Sequence, residues 1–176
     1  MFSFENLKID LLAIKDNPVE LSLLLDDEYF QGLDDAEIQS GKVNASLSIR
    51  KAVDGEFAFT LRIEGVVTVT CDLCLDNMEQ PVEGESSFII RLGQEGGTED
   101  DIIVVNKNDG VLDTAWLIYE TIALAIPIKH VHAPGKCNAA MTEKLQELSA
   151  TRSGDGIAEN EIDPRWAKLQ QLSQNK

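Results

Sequence analysis

Apolar residues recur at every second position through much of the first half of this chain. Val43, Ala45, Leu47 and Ile49 alternate with polar neighbours, and Phe57, Phe59, Leu61 and Ile63 repeat the pattern. Between the two runs stands Asp54-Gly55, a strong short-range hairpin signal. A period of two puts all these side chains on one face of a pleated strand, whereas a helix would scatter them. The front half must therefore be built of paired strands.

The alternation extends both ways. Leu7, Ile9 and Leu11 predict a first strand, and Val19, Leu21, Leu23 and Leu25 a second after the turn at Asn17-Pro18. Asp26 to Leu33 reads as a turn or short helix. Gly65 interrupts the Phe57 run before Val67 and Val69 resume it, which predicts a bulge or sharp bend. Phe88, Ile90 and Leu92 predict a further strand, and Ile102–Asn106 a short one before the turn Asn108-Asp109-Gly110. Gly93–Asp101 (GQEGGTEDD) is glycine-rich but acidic. A phosphate cradle needs backbone donors without adjacent carboxylates, so this stretch reads as a mobile loop.

The second half turns helical. Asp113 can cap a helix from Thr114 to about Ala125, stopped by Pro127. Ala115, Ile118, Tyr119, Ile122 and Ala125 share one face. Trp116, Leu117 and Leu124 make the other face apolar as well, so the helix is expected to be largely covered. Glu120 on that second face is either an exposed carboxylate or an acceptor for a metal-bound histidine. Asn138 to Ala150 predicts another helix. The 176 residues thus divide into a β-rich domain with covering helices over 1–150, a flexible linker over 151–160, and a helical tail over 161–176. In that tail Asp163-Pro164 opens a helix striped with Trp166, Leu169 and Leu172, either a clamp on the body or a docking element. The expected fold class is α+β: an antiparallel sheet, able to curl into an open barrel, covered by one buried helix and followed by a short helical extension.

Charge narrows the function. Thirty-one acids against 15 bases give −16, which argues against broad nonspecific phosphate binding and suits either a protein with basic partners or simply one kept soluble by self-repulsion. Arg50, Lys51 and Arg62 form only a small cationic footprint, so direct RNA contact is expected to be weak or local. Met1 is followed by Phe-Ser-Phe-Glu-Asn, not by a basic start and an apolar run, so no export signal is read. Val111–Ile128 is broken by Asp113, Glu120 and Pro127 and reads as a buried helix, not a membrane span. Three cysteines cannot all pair internally, and the expected location is the cytoplasm.

All three cysteines and both histidines fall in two tight clusters. Cys71-Asp72-Leu73-Cys74 ends a β run, and two intervening residues let both sulfurs form one edge of a tetrahedral zinc site. The segment KHVHAPGKC supplies His130, His132 and Cys137, with Pro134-Gly135 turning Cys137 back. Cys71, Cys74, His132 and Cys137 are the expected ligands of a structural zinc, with His130 as substitute for His132. Sixty-two residues separate Cys74 from Cys137, far more than the ~15–20 of a short zinc ribbon. A metal here would staple the sheet to the segment beyond the helix and close a long loop. Two rivals stand beside this reading: a redox dithiol and a pair of inert buried thiols. A thioredoxin-type pair opens a helix, and this one follows a strand. Catalytic zinc would need an open position and a general base, and no H-E-x-x-H or H-x-E…C-x-x-C pattern occurs. No G-x-S-x-G, S-x-x-K or Walker lysine motif occurs either.

Three segments together, TCDLCLDNMEQPV, IALAIPIKHVHAPGKC and DPRWAKLQQL, resemble the YceD family, named for accumulation of large-subunit ribosomal RNA. The HAPGKCN form is similar to members from the Bacteroidetes side. The resemblance implies a role in the synthesis, processing or stability of 23S rRNA without known enzymatic chemistry. It also implies frequent gene adjacency to a small zinc-ribbon ribosomal protein of the large subunit. It carries over onto Cys71 and Cys74 as the first cysteine pair, Pro127 as the helix-ending proline, Cys137 as the downstream cysteine and Asp163-Pro164-Arg165 as the tail motif. Many relatives have a second downstream cysteine, where this chain offers His130 and His132. The expected function is a non-enzymatic assembly factor. Its partner is a basic ribosomal protein or a large-subunit assembly intermediate, with Asp163, Pro164, Arg165 and Trp166 as candidate contacts. The alternative is a thiol- or zinc-dependent enzyme using the Cys71–Cys74 pair.

Overall fold

The alternating runs pair as antiparallel strands in the computed structural model, which describes residues 3–15, 17–33, 37–52, 55–94, 96–99 and 102–148. Its strands are β1 (Lys8–Asp10), β2 (Val19–Leu25), β3 (Ser40–Lys51), β4 (Phe57–Thr70), β5 (Asn77–Gly93), β6 (Gly97–Glu99), β7 (Ile102–Asn106) and β8 (Val111–Asp113). Its helices are α1 (Asp27–Gly32), α2 (Ala115–Ala125) and α3 (Ala139–Leu148). Residues Met1–Thr142 form one compact unit and Glu143–Lys176 a second, so α3 begins in the first. The expected linker and tail, including Asp163, Pro164, Arg165 and Trp166, lie outside the described residues.

The main sheet has six strands in the order β2-β3-β4-β5-β7-β6, and β1 with β8 makes a separate pair. Phase is kept along its spine. The odd residues Val43–Ile49 of β3 and Phe57–Ile63, Val67 and Val69 of β4 are all at most 4% exposed. Each such Val, Leu, Ile or Phe side chain contributes about 1.5–3 kcal/mol on burial. α1 starts where Asp26 accepts the Glu28 N–H, and it buries Tyr29 and Phe30. The Tyr29 hydroxyl donates to the Ala115 carbonyl at 2.8 Å, joining the two helix regions over the core. Thr114 donates both its N–H and its hydroxyl to the Leu7 carbonyl, so the N-terminal turn is tied to the start of α2.

Several expectations are corrected. The sheet is open, with β2 and β6 as its edges, and does not close into a barrel. It is not wholly antiparallel, because β7 returns alongside β5 in parallel. The first strand is only Lys8–Asp10, since Asp10 accepts the Leu12 and Ala13 N–H groups and bends the chain into a 3₁₀ turn. Gly65 makes no bulge. It pairs in register with Val43 and Val82, and a Cβ there would lie 2.2 Å from the Lys42 carbonyl oxygen. β5 begins at Asn77, eleven residues before the apolar run at Phe88, because its earlier part pairs with β4 while presenting mostly polar side chains. Gly97–Glu99, expected as loop, pairs with β7. Finally, the second face of α2 is only partly covered: Leu117 packs against the core, while Trp116 and Leu124 are exposed.

Candidate metal centre

The C-x-x-C segment is the hairpin loop between β4 and β5. Thr70 and Asn77 are the last paired residues, and Cys71–Asp76 span the turn. The loop closes on itself: Cys71 N–H donates to the Asp76 carbonyl at 2.9 Å and Leu75 N–H to the Cys71 carbonyl at 3.0 Å. Leu75 sits at φ 62°, the left-handed region, which costs a leucine about 1–2 kcal/mol. The reward is orientation. Leu73 N–H points at the Cys71 sulfur at 3.5 Å, and both sulfurs face inward.

The segment beyond α2 crosses this loop. Asp72 N–H donates to the His130 carbonyl at 3.0 Å, and His130 N–H donates back to the Asp72 carboxylate at 2.7 Å. Asn138 donates from its side chain to Asp76 at 3.1 Å, and its carbonyl-side oxygen accepts the Ala140 and Met141 N–H groups to start α3. Gly135 at φ 78° makes the turn that returns Cys137.

Four donors converge as a result. Cys71 and Cys137 sulfurs are 4.0 Å apart, Cys74 sulfur is 3.4 Å from His132 Nδ1, and Cys137 sulfur is 3.9 Å from the same nitrogen. All four ligand atoms lie within 4.8 Å of one another. A tetrahedral zinc with Zn–S near 2.3 Å and Zn–N near 2.0–2.1 Å would require about 3.8 Å between sulfurs and about 3.6 Å between sulfur and nitrogen. The cluster therefore fits a Cys₃His metal site, bound through Nδ1 of His132. His130 does not join it. Its Nδ1 lies 3.0 Å from the Pro127 carbonyl and its Nε2 3.7 Å from Asp72, so it holds the crossing segment in place. Glu120 is exposed on α2.

The thiols are electrostatically unequal. Burial pushes the Cys71 thiol up, but hydrogen bonds from the Cys74 and His132 backbones, the Leu73 N–H and the His132 ring outweigh it and bring Cys71 down to about 6. Burial, together with the neighbouring Cys74 and Cys71 sulfurs, pushes Cys137 up to about 11. Cys71 is thus the more readily ionised of the two, and a metal would displace the thiol protons on binding. The sequence reading missed Asp72, Asp76 and Asn138 as positioning residues. Their signal was adjacency to the cysteines, but short polar side chains beside a turn have many other partners.

An open sheet carrying a half-buried Cys₃His cluster at one hairpin defines a small α+β protein whose residues could hold a metal. Residues 59–173 match the family model for large ribosomal RNA subunit accumulation protein YceD, and the chain belongs to that family. No curated protein and no solved structure matches it. No helix among the described residues is long and apolar enough to cross a membrane.

Proposed function

We propose that this chain is a non-enzymatic, cytoplasmic assembly factor for the large ribosomal subunit. It promotes the synthesis, processing or stability of 23S rRNA through a basic protein partner, and Cys71, Cys74, His132 and Cys137 hold a structural zinc. The supporting observation is the meeting of two remote segments at four donors, in a chain whose family is named for accumulation of this RNA. When bound, zinc supplies four strong bonds that lock the hairpin loop to the segment beyond α2. The net charge of −16 favours a cationic protein over naked RNA as the first contact.

The depressed Cys71 favours a second reading, a thiol- or zinc-dependent enzyme. Against it, Cys71 and Cys74 are 0% and 1% exposed, which leaves a substrate no approach. Metal analysis with thiol titration, on protein purified under reducing conditions, separates the two. One zinc per chain with thiols that react only after unfolding supports the assembly factor; a fast-reacting Cys71 supports the enzyme. In cells lacking the chain, a Cys71→Ser/Cys74→Ser variant is expected to restore less 23S rRNA than the parent. Full restoration would remove the cluster from the function. Co-purification of rRNA that survives protein digestion, without any ribosomal protein, would overturn the protein-partner route.

A further inference from the structure

The two edges of the main sheet are unlike. β6 is only Gly97–Glu99, too short to template another strand. β2 runs for seven residues, VELSLLL, and among the described residues no strand pairs with its outer side. Soluble proteins ordinarily break such an edge with lysine, proline or a bulge. β2 has none of these. It pairs residue for residue with β3, from Val19 opposite Ile49 to Leu25 opposite Val43, and Glu20 is its single charge. The core also stops short here. On β3, Val43, Ala45, Leu47 and Ile49 are at most 3% exposed, whereas Val19, Leu21 and Leu23 beside them on β2 are only half-buried. One more strand with apolar side chains at alternate positions would complete that layer.

We infer that β2 pairs antiparallel with β2 of a second copy of this chain, about a two-fold axis at Ser22. In that register the strand is complementary to its own reverse. Leu21 lies opposite Leu23 of the other copy, Val19 opposite Leu25, Glu20 opposite Leu24 and Ser22 opposite Ser22, so the whole strand is paired. An axis at Leu21 would put Pro18, which has no N–H, opposite Leu24 and make the two Glu20 side chains diagonal neighbours. An axis at Leu23 would set Glu20 directly against Asp26. The Ser22 register avoids both faults and carries the Val19-Leu21-Leu23 row on into the other copy. A two-fold axis normal to the sheet keeps both cores on the same face. Each copy spends its one long edge, so assembly closes at a dimer. This inference is independent of the assembly-factor reading.

Sedimentation of the full chain from roughly 1 μM to 1 mM reads the association. Two variants add the same charge to the same exposed face of β2. Leu24→Lys sets a lysine opposite Glu20 of the other copy, twice per dimer, and is expected to tighten association about fivefold. Ser22→Lys sets two lysines against each other at the axis and is expected to weaken it about threefold. Circular dichroism at the lowest concentration checks that both variants fold. If either does not, amide exchange of the parent decides: alternate β2 amides are expected to exchange fast in dilute protein and slowly in concentrated protein. A parent that stays monomeric throughout would overturn the dimer. Two lysine variants that shift association alike, or not at all, would overturn the register. Slow exchange of every β2 amide in a dilute monomer would mean that another segment of this chain covers the edge, and would overturn the second copy as its occupant.

Discussion

Gly65 shows how little freedom one residue has in the spine of this sheet. A methyl group there would meet the Lys42 carbonyl oxygen at 2.2 Å and the Val43 Cα at 2.6 Å, and neither is the tip of a flexible side chain. Gly65→Ala is expected to lower stability by about 1–3 kcal/mol in urea titration. The sequence marked this glycine as special but misread the reason: a bulge and a close strand approach both require a missing Cβ, and one sequence cannot separate them. The thiols give a second prediction at this scale. In metal-free, reduced protein Cys71 is held near 6, below the ordinary 9.0, so the folded chain binds fewer protons than the unfolded one between those values. Stability is expected to rise with pH across that window and to be lost as pH falls through about 6. Cys137, raised to about 11 from 9.0, has the opposite effect, and stability should fall again above pH 9. Denaturation midpoints against pH, with thiolate absorbance followed in parallel, check both limbs; a flat profile would contradict them.

Among the elements, β5 was the least legible. Its first half, Asn77–Ser87, carries Pro81, Gly84 and four glutamates or glutamines, with no alternation strong enough to read. It becomes a strand because the Cys71–Asp76 turn folds it back onto β4, a tertiary cause invisible to local propensity. Pro81 is tolerated because β7 joins β5 only from Ile89 onward, so this half has a strand on one side alone. The pairing also places Glu64 directly opposite Glu83, both exposed. Like charges across a strand pair are unfavourable, so Glu83→Lys is expected to stabilise by about 0.2–1 kcal/mol in the same titration. β3 and β4, by contrast, were readable as a hairpin, since their alternation and the Gly55 turn agree, apart from the bulge expected at Gly65. α2 was readable as a helix but not in its exposure, because composition alone cannot say whether a second apolar face meets the body or a partner.

At the scale of the molecule, the four-donor convergence was legible from the clustering of cysteines and histidines, but the choice between His132 and His130 was not, since residues two apart in an extended stretch can face the same way. What spacing could not give is the Asp72–His130 clasp, which aligns the two segments by itself. A metal bound only by the folded chain stabilises by about 4 kcal/mol at a thousandfold excess over its dissociation constant. Prolonged chelation is therefore expected to lower the melting temperature substantially while leaving most strand signal at room temperature, as followed by circular dichroism; an unchanged melting temperature would place the cluster outside the stability of the fold. The excess of acids adds a further expectation. Binding of a basic partner should weaken as salt rises, most at low ionic strength, where screening changes fastest.

The donor cluster closes across 58 residues of chain, from Cys74 to His132. At elongation rates of about 5–20 residues per second, the thiol pair leaves the ribosome roughly 3–12 seconds before the imidazole that will meet it. During that interval the newborn hairpin carries two uncovered sulfurs at its tip, free to be oxidised or to take up a stray ion. Translation speed through the α2 codons thus sets how long this tip is open to chemistry that the finished protein shuts out.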